Sequence, residues 1–528
     1  MTEAWSRRQL LKRAGTAAVG VAGFSAAGLS LAGCGTRAPA RALADSTVLK
    51  GVRYFQSRPD LQPPVVAITT NKAPSDPGYI FLATAALGPG QGGTMILRTD
   101  GELVWFKPDV DVSKFDFNVQ TYLGKPVLTW WQGHVLGAGY GDGVGVIADS
   151  KYQTIHEVHA ANGLKADLHE FELTPQGTAL ITAYRQRTVD LTSVGGPASG
   201  QLVSGVAQEI DIATGKLLFE WDSWDHVPLE DTYQPFKYQG KVFGTKYRPF
   251  DYFHINSLTL DSDGDILISS RNTWCVYKVS RTTGKIIWRM NGKKSDFTFG
   301  PGARFYWQHH VREPLDNVIT VFDNGANPDE EKRSRAIVLD VDLTKKHVTL
   351  RNQYVHPGAV VLSDVMGSAQ LLPDGRMFVG WGASQYFSEF APDGKLLLDG
   401  HITRHDPSYR AFLADWTGYP LERPAISAQS RPNGTAVFAS WNGATDVAWW
   451  TILAGSSAFS SLSPAGTMRK TDFETGAVVS STGPFFAVQA HDSAGRPLAQ
   501  SATVHVTAGT TKFNPVNGGC GEGNNCGY

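Results

Sequence analysis

From Tyr79 to about Gly400, apolar and polar residues alternate with a period of two, in short runs that stop at Gly- or Asn-bearing turns. One pattern reads FELTPQGTALITA, LTLDSDGDILISS, VREPLDNVITVF and AQLLPDGRMFVGW. A second alternates with it: LRTDGELVWF, IDIATGKLLFEW, VSRTTGKIIWRM, VDLTKKHVTLR and FAPDGKLLLDG. Period two sends successive side chains to opposite faces, and Asp-Gly or Thr-Gly turns join neighbours, so each pattern predicts an antiparallel hairpin. Two hairpins make a four-stranded unit, and its recurrence at intervals of roughly 50–85 residues predicts a propeller blade. Six units are expected, starting near Tyr79, Pro126, Leu168, Phe253, Gln308 and Ser368. No helical periodicity appears after the N-terminus, so the fold class is all-β.

The pattern changes near Gly400. HITRHDPSYRAFLADWTGYPLERP reads as a connector, and about seven short alternating runs follow, among them SWNGATDVAWWTIL with its Asn-Gly turn and paired tryptophans. These predict a fibronectin-III-like or immunoglobulin-like β-sandwich as an accessory domain. The expected organisation is a signal peptide over 1–34, a tether over 35–60, a six-bladed propeller over 61–410, a sandwich over 420–512 and a Gly/Cys-rich tail over 513–528.

Composition supports this and narrows the partners. With 528 residues, 56 glycines and 28 prolines, the chain has length for a large core and turns for many strands. Its net charge is −1 with signs mixed along the chain, which argues against a nucleic-acid partner. Ser6-Arg7-Arg8-Gln9-Leu10-Leu11-Lys12 reads as a twin-arginine export signal, and the Ala/Gly-rich stretch after it is too weakly apolar for a membrane span. That stretch ends in Leu31-Ala32-Gly33-Cys34, a lipoprotein box in which Cys34 becomes the lipidated first residue; cleavage near Arg41-Ala42-Leu43-Ala44 is the competing reading. The expected location is the cell envelope, lipid-anchored at the outer face of the cytoplasmic membrane. That anchor is the only membrane contact expected. Cys520 and Cys526 can close a small loop in an oxidising compartment, while Cys275 reads as a buried structural thiol. No Cys/His spacing suggests a metal, and no cofactor is expected.

Three histidines share one phase of the repeat. They are His169 in DLHEFELTPQG, His254 in YFHINSLTLDSDG and His309 in WQHHVREPLDN, each opening an alternating run. Equivalent positions of a circular repeat converge on the axis, so three imidazoles should face one cavity. After the Asp263-Gly264 turn the partner strand of His254 returns Arg271 to the same end of its unit. Asn256, two residues after His254, is expected on the same face. His310 follows His309 directly, so only one of the two should face the cavity. Arginine offers a permanent charge and a planar fork of donors that suits a tetrahedral oxyanion. Imidazole is a nitrogen nucleophile largely neutral near pH 7. One histidine as nucleophile, with arginine and the others as anion clamps, makes a group-transfer site that needs no metal. Tyr252, Phe253, Tyr306 and Trp307 either stack on a ring at the cavity mouth or fill gaps between units.

The series FHINSL, the Arg of SSRNT, WQH and DLHEF resembles the bacterial arylsulfate sulfotransferases over roughly residues 79–400. The resemblance implies a six-bladed propeller that moves a sulfuryl group from an aryl sulfate to a phenol, ping-pong, through a sulfohistidine. It implies His309 as the nucleophile, with His169, His254, Asn256 and Arg271 holding the sulfuryl oxygens and Ser368 completing the site. It also implies small phenols and aryl sulfates as partners. Oligomeric state stays open, a homo-oligomer included. Well-studied members carry a disulfide near the site and an N-terminal sandwich. Here no cysteine pair lies near the site and the extra domain is C-terminal, which points to a distant, actinobacterial-type branch. Other readings predict other features. A cell-surface scaffold needs no convergent His/Arg set, and a quinoprotein-like dehydrogenase needs eight blades with carboxylate ligands for calcium. If water replaces the phenol, the same site is an aryl sulfate hydrolase.

Overall fold

The computed structural model describes residues 49–509, apart from 74–77, 86, 137–138, 359, 405 and 482. The twin-arginine stretch, Cys34, Cys520 and Cys526 lie outside the described residues. Among the described residues the chain is all-β and almost wholly antiparallel, with helix limited to three three-residue 3₁₀ turns. No described helix is long and apolar enough to cross a membrane.

The strands fall into successive four-stranded units, built from hairpins of the kind the alternation predicts in all but the first, with the second and third units joined in one nine-stranded sheet. The second unit is Ser113–Tyr122, Lys125–Val135, Gly141–Ala148 and Thr154–Val158. The third is Ala166–Leu173, Thr178–Val189, Gly200–Asp211 and Leu217–Asp222. The fourth runs from Ile255–Leu260 to Ile286–Asn291 and the fifth from His309–Leu315 to His347–Tyr354. The sixth runs from Ser368–Leu371 to Leu396–Ile402, where Val66–Asn71 adds a fifth strand. The first unit draws its innermost strand from far along the chain: Ser408–Ala414 pairs with Tyr79–Thr84, followed by Gly93–Arg98 and Leu103–Pro108. The innermost strands touch one another in order and the sixth touches the first, so the units form a closed, propeller-like ring.

Why the strands are buried on both faces follows from period two. In the fourth unit Ile266 and Ile268 pack with Leu180 and Ala207 of the third, while Leu267 between them packs with Val321 and Ile337 of the fifth. Such apolar clusters occupy every junction around the ring, including Phe378 and Leu398 of the sixth unit against Ile80 and Met95 of the first. At roughly 1.5–3 kcal/mol per fully buried large side chain, these junctions hold the units together.

Several expectations change. The second unit starts at Ser113, and Pro126 lies in its second strand. Part of the stretch read as a connector is the ring-closing strand Ser408–Ala414. The described end of the supposed tether is packed: Val52 is buried, and Phe55 joins the core of the first and sixth units, as does Leu61 just beyond it. Tyr252, Phe253 and Trp307 are buried in the core, with the Tyr252 hydroxyl donating to Ser223 Oγ, so they are gap-fillers. Cys275 is a free, buried thiol whose pKa burial pushes upward.

Beyond the ring, Ala425–Arg431, Gly434–Ser440 and Glu474–Val479 form one sheet, and Ser463–Arg469, Trp449–Gly455, Phe485–His491 and Pro497–Gln500 another, with Val504–His505 on Phe485–His491. One apolar cluster around Trp450, Val437 and Phe486 draws on both sheets. This part covers the outer edge of the first unit. Asn442 bonds both the N–H and the carbonyl of Phe106 there, and exposed edge groups of that kind otherwise invite foreign strands.

Candidate active site

The structure brings His169, His254, Arg271 and His309 to one cavity of about 260 Å³ at the centre of the ring. Its walls include Phe115, Leu168, Val365 and Tyr409, with Gln234 and Phe243 from the long connection between the third and fourth units. Polar groups are few and convergent against an apolar lining, which is how small-molecule sites are built. The His169 and His254 rings meet edge to face at 4.7 Å between centroids.

Each histidine is oriented by a side-chain partner on Nδ1. For His169 the partner is Asp167 Oδ2 at 2.6 Å, and Asp167 is held in turn by the backbone N–H of Gly141 and the Thr182 hydroxyl. For His254 it is Asp251 Oδ2 at 2.6 Å, and for His309 it is Asn324 Oδ1 at 2.7 Å. Bonding at Nδ1 turns each Nε2 away from its partner. Arg271 donates to Asn272 Oδ1 and to the carbonyl of Asp364, and lies over the Trp307 ring at 4.7 Å. Its Nε is buried and finds no acceptor among the described residues.

Burial dominates the electrostatics. It holds His254 well below the ordinary imidazole range, helped by the charges of His169 and Arg271. His309 is likewise held well below it, by burial and then by Arg271. Burial raises Asp251 to about 7 and lowers Arg271 to about 10. Burial pushes Asp167 upward too, but its charge contact and hydrogen bonds with His169 outweigh this and keep the carboxyl below the usual range. The cavity therefore combines a neutral imidazole at His309 with a guanidinium, the pairing expected of a nucleophile beside an anion clamp.

Two predicted residues stand elsewhere. Asn256 does not line the cavity; its amide donates to the Gln308 carbonyl. The reason is local: His254 has φ 52°, just before the strand Ile255–Leu260, so the two-residue alternation does not extend from His254 to Asn256. Ser368 does not line it either, and its hydroxyl donates to the Ala411 carbonyl of the closing strand. His309 and His310 open onto different cavities, the second lined by Asp116, Glu172, His310 and Arg312. Sequence reasoning missed Asp167, Asp251, Asn324 and Tyr409. The first two left a signal, an acid two or three residues before the histidine in DLH and DYFH. The left-handed backbone of His254, Trp307, His310 and Met366 clusters here as well, and such strain gathers where function fixes side chains.

No curated protein is significantly similar in sequence. Among solved structures, a protein of unknown function from Bacteroides caccae is 12% identical, with 64% of this chain and 99% of that chain covered and a TM-score of 0.38. A virginiamycin B lyase from Staphylococcus aureus is 7% identical, covering 72% and 96%, with a TM-score of 0.31. A protein from Lactobacillus plantarum is 13% identical, covering 77% and 97%, with a TM-score of 0.33. Likenesses this remote carry no functional weight. The profile of the family described as Arylsulfotransferase (ASST) matches residues 118–404, more than half of the chain. That span holds His169, His254, Arg271 and His309, and the chain belongs to the arylsulfotransferase family.

Proposed function

We propose that this protein transfers a sulfuryl group from an aryl sulfate to a phenol through a sulfohistidine at His309, on a six-bladed β-propeller that carries a C-terminal β-sandwich. The observation that carries this reading is the convergence of His169, His254, His309 and a guanidinium on one apolar-walled cavity. Arg271 grips the sulfuryl oxygens, with His169 and His254 beside it. Neutral His309 attacks sulfur in line and the aryl oxygen leaves with the bond pair. His169, backed by the ionised Asp167, gives that oxygen its proton and later takes one from the incoming phenol. Phe115, Phe243 and Tyr409 supply the apolar and aromatic wall for the ring. In the cell, the same reading has the enzyme exported through its twin-arginine signal and lipidated at Cys34.

The test is the mass of the intact protein after exposure to 4-nitrophenyl sulfate. A gain of one sulfuryl group is expected, mapping to His309. His309→Asn should gain nothing and show no burst of phenol. His169→Asn and His254→Asn should still form the adduct, slowly. A sulfuryl group mapped to His169 or His254 would overturn the assignment.

A further inference from the structure

We infer that Asn324 is a positioning residue whose amide fixes His309 as the Nδ1–H tautomer and leaves Nε2 as the attacking nitrogen. This rests on the proposed transfer at His309. The Asn324 amide nitrogen donates to the carbonyls of Ser363 at 2.7 Å and Met366 at 3.0 Å. Flipping the amide would set its oxygen against both carbonyls, so Oδ1 must face His309 Nδ1, and Oδ1 can only accept. The ring proton therefore sits on Nδ1. The other nitrogen gives the same answer independently. The backbone N–H of Met366 stands 3.3 Å from Nε2, and an N–H can only donate, so Nε2 carries the lone pair. That contact is long, and an incoming sulfuryl group can displace it. Asn324 is itself locked: it is fully buried, and Ser334 Oγ donates to its carbonyl.

The choice of an amide has a chemical reason. His169 and His254 back onto carboxylates, whereas His309 backs onto an amide. At His309 a carboxylate would draw a proton onto the nucleophile's lone pair. It would also act after transfer. In the first step the Nε2 lone pair forms the N–S bond, and the S–O bond breaks with its pair on the aryl oxygen. The ring keeps its Nδ1 proton, so the adduct is a zwitterion, a cationic imidazolium ring bearing an N–SO3⁻ group. When a phenol oxygen attacks sulfur, the N–S pair returns to Nε2 and a neutral imidazole departs. A base on Nδ1 would take that proton, make the departing group an imidazolate, and strand the adduct. An amide oxygen is too weak a base to do so.

His309 is faced across the cavity by Arg271, His169, His254, Asp251, Asp364 and Tyr409, with His310 beside it on its own strand. A ring held well below 6.5 stays neutral as pH falls through 6.5, so His309 itself should impose no acid limb on adduct formation there. Asn324→Asp places a negative charge against Nδ1 and should move the acid limb of adduct formation upward by about one to three pH units. Adduct formation should therefore fall off at a higher pH than in the wild type, and discharge to phenol should be slower than wild type. A variant that scales the wild-type pH profile down without moving it would overturn the inference and leave Asn324 a packing residue. Because a buried aspartate facing two carbonyls can prevent folding, nitrogen-15 NMR of histidine-labelled wild-type protein gives a second test, with His309→Asn for assignment. Nδ1 should be protonated and Nε2 bare between pH 6 and 8; the opposite tautomer, or an imidazolium, would overturn the inference. If the wild-type protein shows no burst and no adduct, it is the sulfuryl transfer that fails, while the NMR result still tests the tautomer.

Discussion

Arg271 is a buried cation whose two observed donations go to neutral oxygens, the Asn272 side chain and the Asp364 carbonyl. A buried charge without a direct counter-ion is costly, and here the cost lowers its pKa to about 10. An anion in the cavity would relieve it. Arg271→Lys keeps charge and loses the fork, so kcat/KM for the sulfate donor should fall by about 10²-fold or more in steady-state assays. Near-wild-type turnover would make Arg271 structural. This residue was legible in the sequence because the Asp263-Gly264 turn fixes how far the partner strand returns. Asn256 was misplaced because alternation holds only inside a strand, and His254 lies just outside one. Asn324 left no sequence signal, since it reaches His309 from just past the end of the neighbouring strand Val318–Asp323.

Strands deliver the chemistry by facing two ways. His309 opens its strand towards the candidate site. His310 turns to the other cavity, where its Nδ1 accepts from the Ala369 N–H of the sixth unit. That contact ties two units together and touches no reacting atom. His310→Leu should therefore form the sulfuryl adduct near the wild-type rate while losing about 1–3 kcal/mol of stability from the unpaired N–H, measurable by denaturant unfolding. A dead but stably folded variant would reverse the assignment of the two histidines. At this scale the hairpins were readable because Asp-Gly and Thr-Gly turns punctuate clean alternation. The closing strand was not. Ser408–Ala414 carries Arg410 at its centre, a charge that hides an inner strand from any search for apolar periodicity.

That arginine also organises the whole ring. Fully buried, Arg410 bonds Asp116 of the second unit, Glu170 and the His169 carbonyl of the third, and the Asn256 carbonyl of the fourth. Tyr409 beside it donates to the same His169 carbonyl at 3.0 Å. Arg410→Met would strand the buried Asp116 carboxylate, while Glu170 keeps Arg312, and should cost about 3–5 kcal/mol, seen as a lower Tm. Slower adduct formation should accompany it through His169, whereas an unchanged Tm would show the network to be dispensable.

Ring closure has a consequence in time. The strand that completes the first unit is made more than three hundred residues after its partner at Tyr79, so their pairing closes a very long loop and belongs late in folding. A ribosome-bound chain that has not yet released Arg410 holds its histidines in an open arc, with nothing gripping the His169 carbonyl from the far side. The last strand to dock is thus also the one that grips the backbone of His169, and a truncated or half-made chain carries the candidate site residues without an assembled centre.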